Sequence, residues 1–223
     1  IIKYLKINSS HTTITTMPMG YSYGLSIINT HLASGSKIVV NNNSIFEREF
    51  WNKVTKYKIT SFGGVPQFYE QLKKLRFENL DLLNLKYITQ AGGKLDDSSL
   101  KYFEKVCKKN NIKFIIMYGQ TEASPRMSYL AWSKFSEKLG SIGKALNGSK
   151  FQILSKTGKQ INKSFSTGEL IYFGKNVSLG YARNLKDLNK ILKFWKPDIL
   201  QIPYSILDKR LEKESILKKI KKH

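Results

Sequence analysis

The chain is 223 residues long, 41% hydrophobic and 24% charged, which suits one or two globular domains with a sizeable core. No run approaches the roughly 18 continuous apolar residues of a membrane span, and the lone Cys107 excludes an internal disulfide framework, so a cytoplasmic, disulfide-free protein is expected. The net charge of +22 suggests nucleic acid at first sight, but it is nearly all lysine dispersed along helix-like faces, with arginine confined to Arg48, Arg76, Arg126, Arg183 and Arg210. Arginine is the residue suited to bidentate phosphate and base contacts, so a solvated lysine-rich surface is expected, with no nucleic acid.

The chain opens with "IIKYLKINSSHTTITTMPMG", which has neither a charged leader nor a cleavage-like pattern and reads as a fragment that begins inside a domain. "HTTITTM" alternates with β-branched residues, and "KIVV", "KITSF", "LKYITQ" and "KFIIM" are further short β-rich runs. Helical patterns lie between them. Leu25, Ile28 and Leu32 share one spacing, Phe46, Phe50 and Val54 another, and Leu100, Phe103 and Cys107 hold one face of a helix that Asp96, Asp97 or Ser98 caps. Strand and helix alternate about five times, which implies an α/β fold of parallel strands joined by right-handed crossovers.

After Gly119 the texture changes to "RMSYLAW", "KFQILS" and "GELIYFG", β-like runs without helices between them, as expected of an antiparallel, barrel-like portion. From Asp187 onward it changes again, to lysine-rich helix-like sequence ending in "KKIKKH". The expected divisions are an α/β part over 1–123, a β-rich part over 124–185 and a tail over 186–223.

Ligands of open parallel sheets bind beyond the carboxyl ends of the strands, and Tyr118 to Glu122 leave such an end after "KFIIM". Tyr118 offers a flat face for a purine, Gly119 a close backbone approach, Thr121 a donor to a phosphate oxygen and Glu122 a ligand for Mg²⁺ beside phosphates. A strand exit followed by a helix-capping Thr-Glu pair has the same appearance, so the five residues alone leave both readings open.

Tyr118-Gly119-Gln120-Thr121-Glu122 resembles the Tyr-Gly-x-Thr-Glu motif of the adenylate-forming superfamily, which includes acyl-CoA synthetases, luciferases and peptide-synthetase adenylation domains. Further segments resemble that family in the same order: "TTMPMGYSYGLSIINTHLASGSKIVV" its Pro-containing strand exit and helix, "ITSFGGVPQFYEQL" its Gly-Val-Pro turn, "TQAGGKL" its adenine-side loop, and "TGELIYFGKNVSLGY" its Gly-Glu-Leu strand and later Gly-Tyr. The resemblance runs from Thr12 to Tyr181. It implies part of the large N-terminal domain of an adenylate-forming enzyme, a parallel sheet with flanking helices followed by the β-rich portion.

Carried onto matching positions, the resemblance sets Gly92 and Gly93 against adenine, Tyr118 stacked on it, Gly119 and Gln120 in the same loop, Thr121 on the α-phosphate and Glu122 on Mg²⁺. Tyr21 takes the place of the residue that gates the acyl tunnel, and Val65 and Pro66 border the acyl pocket. On the residues alone, the paired glycines equally suit a tight turn, Tyr21 equally suits buried packing, and Val-Pro after a strand suits any hydrophobic turn. The implied co-substrates are ATP with Mg²⁺, a small carboxylate, and CoA or a carrier thiol.

The departures are equally specific. "IIKYLKINSS" supplies no Ser/Thr/Gly-rich phosphate-binding loop with a Lys, and after Gly180-Tyr181 the family's Thr-Gly-Asp, hinge and catalytic Lys have no counterpart in "FWKPDILQIPYSILDKRLEKES". The codons for Phe194-Trp195-Lys196-Pro197, read from their third nucleotide, give Leu-Glu followed by Thr or Ala. Continued, that frame can read Leu-Glu-Thr-Gly-x-Ile-Ala, which resembles the absent segment except that x decodes as Tyr or His. A frame change between about Leu185 and Lys193, with a non-native tail beyond it, is therefore expected. Two functions follow: a fragment, itself inactive, of an enzyme that activates a carboxylate to an acyl-adenylate and passes it to a thiol, or a basic non-catalytic binding or scaffold protein retaining the fold.

Overall fold

A computed structural model describes residues 1–178, 180, 181, 186, 190 and 193. Ile1–Val177 form one compact unit and Ser178–His223 another, and the account below concerns the first. The expected frame change and the tail after it fall almost wholly outside the described residues.

In chain order the elements are α1 (Ile2–Leu5), β1 (Thr12–Ile14), α2 (Ser22–Leu32), β2 (Lys37–Val39), α3 (Arg48–Lys56), β3 (Ser61–Gly64), α4 (Pro66–Lys74), β4 (Tyr87–Gln90), α5 (Asp97–Lys109) and β5 (Lys113–Tyr118). β6 (Ser128–Leu130), β7 (Lys144–Ala145), β8 (Lys150–Leu154) and β9 (Glu169–Phe173) follow. One sheet has the order β2-β1-β3-β4-β5-β6-β7. Its first five strands are parallel, as the strand and helix alternation implies, and β6 and β7 extend it antiparallel. The change of texture after Gly119 thus marks a reversal of strand direction within one sheet. β8 and β9 pair separately and antiparallel, in register from Lys150 opposite Phe173 to Leu154 opposite Glu169.

Side chains alternate across the sheet with the two-residue period of a strand buried on both faces. On β5, Phe114 joins a large core with Phe50 and Val54 of α3, Tyr69 and Leu72 of α4, and Leu100, Phe103 and Cys107 of α5. Ile115 and Met117 turn the other way, into a smaller cluster with Ile7, Tyr23 and Tyr87. Phe103 lies at the centre of an aromatic group, its ring centroid 5.0 Å from Tyr69 and 5.5 Å from Phe114.

The α5 face matches its sequence pattern, and Asp96 caps the helix, its carboxylate accepting from the Ser99 N–H at 2.9 Å. Two details differ from the periodicity. Phe46 precedes α3 and is exposed, because that helix begins only at Arg48. On α2 the buried residues are Tyr23, Gly24, Ser26 and His31, while Leu32 is 62% exposed. Apolar spacing marks residues of α2 that are half-buried (Leu25, Ile28) or exposed, because its innermost face is held by hydrogen bonds: the Tyr23 hydroxyl donates to the Thr89 carbonyl, and His31 Nε2 lies 3.1 Å from the Tyr87 hydroxyl. His31 Nδ1 sits 2.7 Å from the Ile27 carbonyl, which can only accept, so Nδ1 carries the proton and Nε2 accepts from Tyr87.

Phe103→Ala is expected to destabilise the fold by about 3–5 kcal/mol, the cost of emptying a large buried aromatic site, and urea denaturation checks it. Asp96→Ala should cost about 1 kcal/mol near neutral pH. Hydrogen bonds from Ser98 and Ser99 hold the Asp96 carboxyl below the usual carboxylate range. A depressed folded pKa stabilises above the unfolded value and loses that contribution as pH falls through the folded one, so the denaturation midpoints of wild type and variant should converge under strong acid.

Candidate active site

A cleft of about 530 Å³ opens beyond the carboxyl ends of β4 and β5. Its walls come from the segment leaving β4 (Gln90 to Leu95), the end of β5 with the loop after it (Ile116 to Glu122), the start of α2, and Gly140 to Ile142. Of the residues singled out in the sequence, Tyr21, Gly92, Gly93, Tyr118, Gly119, Gln120, Thr121 and Glu122 all line it. Val65 and Pro66 do not. They pack beneath the Gly-Gly loop, where a Cβ on Gly92 would come within 3.0 Å of Val65 Cγ1 and one on Gly93 within 3.0 Å of Pro66 Cγ.

The glycines here answer first to packing. Gly92 has φ +83°, and a Cβ there would also approach the Tyr21 hydroxyl to 2.9 Å, so turn geometry and close neighbours account for it. At Gly119 a Cβ would overlap the Pro125 carbonyl oxygen, because the chain reverses through Ser124 (φ 51°) and returns as β6. The reversal is closed by the Met127 N–H donating to the Tyr118 carbonyl at 2.9 Å. Gly119 therefore admits protein backbone, where the sequence suggested close approach by a ligand.

Gln90, 1% exposed, shapes the Gly-Gly loop from inside, its Nε2 donating to the Gly93 carbonyl at 2.8 Å and to the Ala91 carbonyl at 3.3 Å. Thr121 and Glu122 lie on a single 3-10 turn, Thr121–Ala123, and are exposed to the cleft. Ser22, the first residue of α2, places its hydroxyl 3.1 Å from that of Thr121 and so ties the helix start to the turn. Tyr118 is half-buried, its ring centroid 6.4 Å from that of Phe151.

Tyr23 and Arg126 are the residues that sequence reasoning passed over. The Tyr23 phenol, fully buried, is pushed up to about 12 by desolvation, so it stays a neutral donor. The Arg126 guanidinium lies 4.1 Å from the centre of the Tyr23 ring, is 3% exposed and lines the same cleft. Its rarity was the available signal, since an arginine four residues after Glu122 stands out in a chain that otherwise uses lysine. Cys107, by contrast, is buried in the main core and its thiol is pushed up by desolvation, which leaves it no part in the chemistry.

Among the described residues no three His, Cys, Asp or Glu side chains gather at one place, so no metal cage made wholly of protein is present there. Glu122 is the carboxylate among the cleft residues. One exposed carboxylate at an open cleft fits a Mg²⁺ that is held mainly by phosphate oxygens and water. No helix among the described residues is long and apolar enough to cross a membrane.

The model of the AMP-binding enzyme family matches residues 1–182. The oxalate–CoA ligase of Saccharomyces cerevisiae is 25% identical over 183 residues, an alignment covering 81% of this chain and 32% of that protein. The 2-succinylbenzoate–CoA ligase of Listeria monocytogenes is 23% identical over 186 residues, covering 82% and 35%. Among solved structures, the O-succinylbenzoate coenzyme A synthetase of Bacillus subtilis, in complex with ATP and magnesium ion, superposes with a TM-score of 0.69 at 20% identity, over 83% of this chain and 37% of that one. The chain spans about a third of the length of these relatives. A family match over this extent, on a mostly parallel sheet with the motifs gathered at one cleft, shows that the chain belongs to the AMP-binding enzyme family.

Proposed function

We propose that the cleft binds ATP and a small carboxylic acid and serves the formation of an acyl-adenylate, which the complete protein passes to the thiol of CoA or of a carrier. The observation that carries this reading is the meeting in one cleft of two separate segments, Gly92-Gly93 leaving β4 and Tyr118 to Glu122 leaving β5. The relatives named as CoA ligases support CoA as the acceptor.

In this reading the adenine lies along the Gly92-Gly93 backbone and against the Tyr118 ring, with Gln90 holding the loop in shape. The Thr121 hydroxyl donates to an α-phosphate oxygen, and Ser22 fixes its direction. Attack of a carboxylate on phosphorus brings two anions together, so positioned donors and neutralised charge lower the barrier more than any covalent step. A bound Mg²⁺ would be held by Glu122 and would offset phosphate charge. Tyr21, 38% exposed and beside Gly92, stands at the acyl side, with Val65 and Pro66 shaping that side from beneath the loop.

The chain itself should bind nucleotide. ATP with Mg²⁺ at a hundredfold over its dissociation constant would stabilise the native state by about 2.7 kcal/mol, read as a rise in Tm. Glu122→Gln should keep the metal-free Tm and lose the increment that Mg²⁺ adds, because an exposed turn carboxylate contributes little to folding. A Mg²⁺ increment that survives the substitution would refute the metal role of Glu122.

The 223-residue chain is also expected to be silent in carboxylate-dependent pyrophosphate exchange. No phosphate-binding loop or catalytic Lys can be assigned in it, and groups that act as a unit on the transition state lose most of their effect when one is missing. Turnover clearly above blank, across short, long-chain and aromatic acids, would overturn this expectation.

A further inference from the structure

We infer that Asn176 is a positioning residue for Thr121 and Glu122: its carboxamide pins the turn that carries them to the β8–β9 hairpin. The inference rests on the nucleotide-binding reading above for what that pair does, and adds to it the residue that fixes the pair in place.

The chain leaving β5 reverses through Ser124 (φ 51°) and returns as β6. Asn176 Nδ2 donates to the Ala123 carbonyl and to the Arg126 carbonyl, the latter at 2.8 Å, so one amide spans both sides of the reversal. A carbonyl oxygen can only accept, so Nδ2 faces the loop and both of its hydrogens are used. Oδ1 accepts in turn from the Tyr172 hydroxyl of β9 at 2.8 Å. Tyr172, Gly174 and Asn176 sit at every second position, and the glycine makes the contact possible. A Cβ at Gly174 would come within 2.5 Å of Asn176 Oδ1 and 2.6 Å of the Tyr172 hydroxyl, the space in which hydroxyl and amide meet.

The hairpin therefore meets the loop at both ends. At its start the Tyr118 ring centroid lies 6.4 Å from that of Phe151 on β8, which is 5.2 Å from Tyr172. At its end Asn176 holds Ala123 and Arg126, and the cleft-lining Gly119 to Glu122 run between the two attachments. β8 and β9 form their own two-stranded sheet, so contacts of this kind, rather than a shared ladder, join the hairpin to the loop. The turn has little else of its own to hold it: the Ala123 N–H donates to the Gln120 carbonyl at 3.0 Å and the Ser124 N–H to the Thr121 carbonyl at 3.2 Å, the weaker geometry of a 3-10 turn. A donor aimed at phosphate is effective only if its direction is set beforehand, and the amide sets it from behind the cleft.

The test is calorimetric titration of the 223-residue chain with AMP and with adenosine, which differ by the phosphate assigned to Thr121. Asn176→Asp keeps the side-chain shape and replaces the donating nitrogen with an acceptor that faces two carbonyls. It should weaken AMP binding by about tenfold, the worth of a hydrogen bond to a charged group, and leave adenosine affinity within about twofold. In the nucleotide-free variant the Ala123 and Ser124 amides should exchange with deuterium about tenfold faster, while the Ala91 amide, which donates to the Gly64 carbonyl before the Gly-Gly loop, keeps its protection. Should this variant fail to fold, Tyr172→Phe removes only the hydroxyl that orients the amide, keeps the ring against Phe151, and should move both readouts the same way by a smaller factor. In a wild-type chain that binds AMP, an unchanged AMP affinity, an equal loss of AMP and adenosine affinity, or undiminished protection at Ala123 and Ser124 overturns this inference alone. A wild-type chain that binds no nucleotide, with protection lost in the variant, sustains Asn176 as the residue that places the turn and defeats the nucleotide reading; with protection retained, both fall.

Discussion

The Thr89 carbonyl, near the end of β4, accepts two phenol hydrogen bonds, from Tyr23 of α2 at 2.8 Å and from Tyr69 of α4 at 2.7 Å. Those helices pack into different core clusters, so the end of one strand is held from both faces of the sheet. Both phenols are pushed up by burial and remain protonated donors, and a hydrogen bond in so dry a place is hard to replace by water. Gln90 and the Gly-Gly loop follow immediately, and their position against the end of β5 is inherited from this clamp. The two glycines ending β3 make room for it: a Cβ on Gly63 would come within 2.7 Å of the Tyr23 hydroxyl, and one on Gly64 would overlap the Phe68 ring.

How much of this was legible depended on what kind of force placed each residue. The parallel strands and α3 and α5 are apolar-driven, so spacing alone located Phe50, Val54, Leu100, Phe103 and Cys107 on buried faces. α2 was located but its most buried residues were not, because Tyr23, Ser26 and His31 meet Thr89, Arg126 and Tyr87 through hydrogen bonds that leave no apolar period. The cleft residues were legible as motifs, yet the reasons for individual glycines were not. A sequence cannot show that the neighbour of Gly119 is the Pro125 carbonyl, since that contact exists only once β6 has turned back onto β5.

Net charge locates nothing in this fold. Lysines supply most of the +22, and wherever they are exposed, water and salt screen them. Among the described residues, the buried guanidinium that lines the cleft, Arg126, contributes a single unit to that sum. It is the charge that sits in a low-dielectric setting, among Tyr23, Met117 and Ser26, where a charge interacts more strongly than in water.

The first turns of α2 tie two points of the site to each other. Ser22 meets the Thr121 hydroxyl where phosphate and reacting carboxylate are proposed to meet, and Ser26 meets Arg126 deeper along the same helix. The helix cannot shift toward one point without moving the other, since its rise per residue is fixed by backbone hydrogen bonds. Gly24, between the two serines, presses against the strand exit so closely that a Cβ would overlap the Pro18 carbonyl, and Tyr23 is anchored to Thr89. Both serines are thus referred, through Tyr23 and Thr89, to the same clamp that positions the Gly-Gly loop.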